Sequence, residues 1–267
     1  MILRTILKRD NNNNIATFKR LLPVLAILVA VFLMIVLFFL IVYAMKIKDD
    51  DIVLSINGEP VTKTEYLFFM SGLKAKVFSY FSNKYGVEES STFWISDFGG
   101  EVPEKVLRQE TIKLLKRIKI EQILMIEYGL ADDISFNGFL RQLENENKRR
   151  ELALEKHQPV YGPIRFEEKV YFDYLHSERV GKLKRILTES ELYVSEEELD
   201  RSYNEYLSMQ EKKDESTDAD GLRFYLKNEL ISWKFEEKIR NLMDTSITVI
   251  KLNDSAFRKM SKSLLGT

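Results

Sequence analysis

The chain has 267 residues, with 40 basic and 41 acidic side chains, 12% aromatic residues and no cysteine. The near-balanced, mixed charge excludes nucleic acid as the expected partner. The missing thiols exclude disulfides, cysteine metal sites, thiol catalysis and a lipid-modified cysteine anchor.

Residues 1–20 include Arg4, Lys8, Arg9, Lys19, Arg20 and an asparagine run at 11–14, and read as a basic cytoplasmic tail of low complexity. Residues 21–43 carry no charged side chain. At a rise of ~1.5 Å per residue such a stretch extends ~35 Å, against ~30 Å for a hydrocarbon layer. The expectation is a transmembrane helix over residues 21–45 in contact with the lipid bilayer, with Pro23 in its first turn. A cleaved signal peptide is the rival reading, with Val42, Tyr43 and Ala44 as its cleavage site, but such a peptide's apolar core runs only ~7–15 residues. Basic residues gathered ahead of the span place the N-terminus in the cytoplasm, so the localisation expected is a single-pass cell-membrane protein with residues 46–267 as an extracytoplasmic domain.

Residues 52–56 form a strand-like run followed by Asn57-Gly58, the dipeptide best suited to the positive φ angles of a tight hairpin turn. Pro60 keeps the second arm brief, and Thr62 with Glu65 makes a capping box that starts a helix. That helix carries Tyr66, Phe69, Met70, Leu73, Val77 and Phe81 at helical spacing, one apolar stripe in need of a partner. A second helix starts at Pro103, stops at Gly129 and is apolar enough to be the central one. Ser135 caps a third, charge-rich helix through Lys156, expected to be the more exposed. His157, Pro159, Gly162 and Pro163 break the chain before a fourth helix over residues 165–187. Ser195 and Glu198 form another capping box, residues 210–220 are a polar loop, and residues 222–243 are a strongly periodic helix. The β-branched run 246–252 reads as a strand and residues 254–264 as a short last helix. A lone terminal strand needs a partner, and the hairpin offers one, so both ends of the domain are expected in one small sheet. The fold class is therefore mainly α: a membrane helix, then a helical domain with a small β ribbon joining its two ends.

The run Val53-Leu54-Ser55-Ile56-Asn57-Gly58-Glu59-Pro60-Val61-Thr62 is similar to the opening of the SurA/PrsA family of extracytoplasmic chaperones and foldases. Val194-Ser195-Glu196-Glu197-Glu198-Leu199 with Tyr203 resembles the helix ahead of that family's isomerase domain, and residues 222–249 resemble its closing helix and strand. Relatives carry a parvulin-type domain of roughly a hundred residues between those segments. Here only residues 207–220 are available, whereas an independent domain needs at least ~50. The resemblance implies a chaperone framework without its catalytic insert, holding unfolded or newly exported polypeptides against apolar walls and using no cofactor.

The two histidines, His157 and His176, stand in no ligand or nucleophile spacing, and no zinc-protease, nucleophile-elbow or phosphate-loop pattern occurs, so no catalytic, cofactor-binding or metal residue is assigned. Aligned as a calcium loop on Gly221, the acidic stretch puts Ser216 first and Lys227 last, where a bidentate glutamate is required. The charged run 144–150 reads as a solvated helix face. Client-binding candidates are the aromatics at the two breaks: Phe93, Trp94 and Phe98, and Tyr161, Phe166, Tyr171 and Phe172. Core packing is the competing assignment for each, because apolar patches act only where exposed. Two functions remain: a chaperone-like protein without prolyl isomerase activity, or an envelope assembly protein binding one dedicated protein partner. An enzyme is not expected.

Overall fold

The structure, a computed structural model, describes residues 31–37, 52–209, 218–252 and 254–266. The chain divides into two units, Met1–Asp51 and Ile52–Thr267. In the first, residues 31–37 are helical and exposed. No helix among the described residues is long and apolar enough to cross a membrane. This finding corrects the membrane localisation expected from hydropathy. The rest of the span expected over 21–45, the tail 1–20 and most of the loop 210–220 lie outside the described residues.

The second unit opens with β1 (Ile52–Ile56) and β2 (Glu59–Thr62). Asn57 and Gly58 turn between them with φ of 49° and 88°, the paired positive angles that Asn-Gly was expected to supply. Pro60 lies in β2, an outer strand, where its missing donor costs no ladder bond. Near the other end of the chain β3 (Thr248–Ile250) pairs antiparallel with β1, giving the order β2-β1-β3. The tip is clasped from both sides: the Asn57 amide donates to the Ile247 carbonyl at 2.8 Å, and the Ile247 amide donates to Asn57 Oδ1 at 2.8 Å. The expected closure of the domain's ends in one sheet is present.

Helix α1 (Lys63–Tyr85) starts at Thr62, whose hydroxyl accepts from the Glu65 amide at 3.3 Å, and ends at Gly86 in the left-handed region. A 3-10 turn at Phe93–Ile95 precedes α2 (Pro103–Glu127), which has Pro103 in its first turn. Helix α3 (Phe136–Glu155) is capped by Ser135, and α4 (Glu168–Thr188) begins three residues later than its sequence pattern. The capping box before α5 (Glu196–Met209) is reciprocal: the Ser195 amide donates to the Glu198 carboxylate at 3.0 Å and the Glu198 amide donates to Ser195 Oγ at 3.2 Å. Asp218 caps α6 (Ala219–Thr245) through the Gly221 amide at 3.1 Å, and α7 (Asp254–Leu265) closes the described chain.

Helix α2 is central, in contact with α1, α4, α6, β1 and the 3-10 turn. Its first half, through Leu107, Leu115 and Ile118, enters a core shared by the sheet, α1, α3, α4 and α7. Its second half, through Ile120 and Leu124, enters a separate cluster with Leu183, Leu187, Phe235 and Ile239. A buried ion pair joins α2 to α1, Lys119 Nζ to Glu65 Oε1 at 2.9 Å, with both side chains almost inaccessible. Helix α7 is fixed by the Phe257 ring edge-on to Tyr66 at 4.7 Å and by Lys74, which donates to the Leu264 carbonyl at 2.8 Å.

Helix α3 presents the expected solvated face at Glu144, Asn145, Lys148 and Arg149, with a buried stripe opposite it. Phe136, Phe139, Leu143 and Ala153 are buried, as are Asn147 and Arg150 within the charged run 144–150. The two polar side chains go inward because they anchor the following loop, which has no regular ladder for its own backbone groups.

Candidate functional site

Helices α1, α2 and α4 line a cleft of about 540 Å³. One face of α4 lines it from end to end, from Lys169 through Phe172, His176 and Val180 to Lys184, at the three-to-four spacing of a single helical stripe. Helix α1 contributes Phe69, Gly72 and Leu73, and α2 contributes Leu114, Arg117, Ile118 and Glu121. A second depression of about 580 Å³ adjoins it, sharing Leu73, Leu114 and Arg117 and bounded by α6 at Glu236, Ile239, Arg240 and Met243.

Arg117 stands on the divide. Its Nη1 and Nη2 donate to the two Glu236 oxygens at 2.6 and 2.7 Å, and its Nε donates to Glu121 Oε1 at 2.9 Å. The other Glu121 oxygen meets His176 Nε2 at 2.7 Å, and the imidazole lies flat on Phe172 with centroids 5.3 Å apart. The Arg117 guanidinium holds the Glu236 carboxyl below its usual range, and Lys184 and Arg240 act in the same direction. Such a bidentate pair fixes orientation as well as charge. The network ties α2 to α4 and α6 across the cleft floor. The sequence assigns no role to His176, because its partner Glu121 is 55 positions away and spacing gives no signal.

The expected client-binding aromatics fall into two sets. Phe93, Trp94, Phe166, Tyr171 and Phe172 are buried and Phe98 is half-buried, all in or against the main core. Phe93 alone touches Phe78, Phe81, Trp94 and Phe98 through rings 5.0–5.9 Å apart. Phe172 is the one of the seven that also reaches the cleft. Tyr161 goes the other way, 85% exposed at the tip of the loop between α3 and α4 with Ile164 at 68% beside it. The loop is held from below: Arg150 Nη1 donates to the carbonyls of Tyr161 and Pro163 at 2.9 and 2.7 Å, and the Asn147 amide exchanges bonds with the Phe166 backbone at 3.0 and 2.7 Å. His157, in the same loop, is exposed with a φ of 53°.

Among the described residues no group of three or more histidine or acidic side chains is placed to hold a metal ion. The cleft sets apolar side chains of α1, α2 and α4 beside the Arg117–Glu121–His176 network.

Over 210 residues the chain is 23% identical to a protein described as a chaperone for lacto-N-biosidase from Bifidobacterium longum subsp. longum, a match covering 77% of this chain and 73% of that relative. No protein-family model matches the chain, and no solved structure matches it. The resemblance to SurA/PrsA proteins receives no support from these comparisons. The chain is a distant homologue of a protein named as the chaperone of one enzyme.

Proposed function

We propose that this chain is a chaperone-like protein that binds one dedicated protein partner and assists its folding without catalysing a reaction itself. The observation that carries this reading is the similarity, over 77% of the chain, to a relative named as a chaperone for a single enzyme. The polar cleft floor favours a dedicated partner over broad client capture. Apolar burial alone is non-directional and gives little selectivity, whereas fixed charged groups reject segments that leave them unpaired. The opening hairpin and the closing helix and strand are in keeping with a SurA/PrsA-type framework. Between Met209 and Ala219 there is no space for a parvulin-type domain, which needs at least ~50 residues, so the reading includes no prolyl isomerase activity.

The test uses the full chain, co-produced with the protein recovered from it by cross-linking in cells and, separately, with several unrelated aggregation-prone proteins. The expected outcome is rescue of the one partner's soluble, active form and no effect on the others. Equal protection of all of them would establish a general holdase instead. Acceleration of proline isomerisation in a model peptide would overturn the non-catalytic half.

A further inference from the structure

The two outer edges of the small sheet are not alike. The Lys251 amide donates to the Val53 carbonyl at 3.0 Å and the Asn57 amide to the Ile247 carbonyl at 2.8 Å, so the odd-numbered residues of β1 and β3 turn their backbone groups toward each other. The even-numbered residues of β1 then bond to β2, opposite Glu59 and Val61, and Pro60 faces outward. That edge offers no donor at Pro60 and runs straight into α1 after Thr62, which closes it to a further strand. On the other side the amides and carbonyls of Thr248 and Ile250 point away from β1, and among the described residues no hydrogen bond takes up any of them.

Natural sheets guard such an edge with charge, proline or a bulge. Strand β3 has none of these: residues 246–250 are Ser-Ile-Thr-Val-Ile, the pairing with β1 is regular, and Ile247, Val249 and Ile250 are 69%, 50% and 46% exposed. Ile247 and Val249 lie on one face of the strand and Ile250 on the other. A row of donors and acceptors at strand spacing is matched by an extended main chain, and the apolar side chains on both faces are covered by that chain's own side chains.

The size of the edge decides between occupants. Helix α6 ends at Thr245 and α7 begins at Asp254, so the free ladder is short and lies between two helix ends. A second copy pairing here would bring its own helix ends against these for a few ladder bonds, whereas stable interfaces between folded chains bury ~1,200–2,000 Å². A single strand meets the same groups and carries no such bulk.

We propose that the outer edge of β3 receives an extended segment of the dedicated partner, rich in β-branched residues and free of proline, which joins the sheet antiparallel to β3. The source of the segment rests on the dedicated-partner reading; its conformation rests on the edge alone.

Labelled peptides of about seven residues, alternating threonine and valine between terminal lysines and long enough to overrun β3 at both ends, test it on the full chain. One is unmodified, one is N-methylated on alternate residues and keeps one competent edge, and one is N-methylated throughout and has none. The first two are expected to bind equally and the third about tenfold more weakly. Hydrogen exchange at the Thr248 and Ile250 amides should slow about tenfold when the peptide binds, a readout that needs no variant. Ile250→Pro removes an outward donor and no bond to β1, so the fold should persist while the unmodified peptide weakens about tenfold; Ile250→Ala keeps the amide and should weaken it far less. Equal binding of the three peptides, unchanged exchange at both amides with peptide bound, full binding by a folded Ile250→Pro variant, or an equal loss in Ile250→Ala would overturn the proposal. Exchange already slow without peptide, and faster on dilution, would put a second copy at the edge and overturn it too. Co-production with the partner separates the two readings. If wild type and Ile250→Pro rescue the partner equally, the edge assignment fails and the dedicated-chaperone reading stands. If wild type rescues no partner yet binds the unmodified peptide at this edge, the chaperone reading fails and the edge assignment stands.

Discussion

Two aromatic-bearing breaks in the helical pattern look alike in sequence and differ in structure. Between α1 and α2, Phe93, Trp94 and Phe98 turn inward onto Phe78, Phe81 and Tyr85. Between α3 and α4, Tyr161 and Ile164 stand in solvent. What differs is the means of anchoring. The first break is fastened by its own rings, because α1 offers an aromatic ladder at Phe78, Phe81 and Tyr85 for them to enter. The second is fastened by buried polar side chains of α3, Asn147 and Arg150, which take up backbone groups of the loop. In the second break Phe166, whose backbone Asn147 holds, is buried, while Tyr161 and Ile164 farther out on the loop stay in solvent.

The largest effect therefore belongs to the first break. Phe93→Ala removes a fully buried ring from a four-sided aromatic contact and should cost about 3–5 kcal/mol in denaturant unfolding. A loss below ~1 kcal/mol would mean that the corner collapses onto the vacancy, and the contrast with the second break would disappear.

Asn147→Ala comes next. It leaves the Phe166 amide and carbonyl without their buried partners, a loss of about 1–3 kcal/mol. Because those bonds fasten the loop, cleavage near Tyr161 by a protease specific for aromatic residues should speed up well before the domain unfolds. If stability falls with no change in cleavage rate, the loop is held by Arg150 alone and the account of its anchoring is wrong.

Much of this was legible in the sequence wherever a local rule decides the outcome. Asn57-Gly58, Pro103, Ser135 and the Ser195–Glu198 box each set an element's end through a steric or hydrogen-bonding preference that acts within a few residues. Closure of the sheet followed from the need of a lone strand for a partner. Pairings made by tertiary structure were not legible. Glu65 reads as a capping residue, yet its carboxylate lies buried against Lys119, and Arg117 meets Glu236 across 119 positions of chain. A helical period tells which residues share a face and not which face of another helix opposes it. The cleft is made where α1, α2 and α4 oppose one another, so its residues carried no signal. The run 144–150 is solvated at Glu144, Asn145, Lys148 and Arg149 as its charge implies, while Asn147 and Arg150 turn inward because the next segment takes their hydrogen bonds.

The third effect is confined to acid. Glu101 accepts from Lys84 at 2.8 Å, from Tyr85 at 2.7 Å and from Tyr80, closing the first break from outside. The Lys84 hydrogen bond, followed by that of Tyr85, lowers its carboxyl from 4.5 to about 2. A carboxyl depressed on folding stabilises the fold fully above its ordinary value and stops doing so as pH falls through the depressed one. Glu101→Gln should accordingly bring the stability of the variant and the wild type closer together between pH 4.5 and 2, and leave a constant difference above that window. Parallel stability curves down to pH 2 would show that Glu101 is not held in this way.

The smallest effect tests the other side of the comparison. Tyr161 is the most exposed of the large apolar side chains in the second unit, and Arg150 engages its carbonyl oxygen, which alanine also supplies. Tyr161→Ala should therefore change stability by no more than ~0.5 kcal/mol, as for surface positions that fasten nothing. It should also leave the loop's protease sensitivity as it was, since Asn147 and Arg150 are untouched. The informative experiment pairs it with Asn147→Ala. If the ring contributes nothing to the anchoring, the two losses add within ~0.5 kcal/mol in the double variant. A loss above ~1.5 kcal/mol from Tyr161→Ala alone, or strong coupling to Asn147, would mean that the ring packs against the domain in solution, and the second break would then be fastened by its aromatics just as the first is.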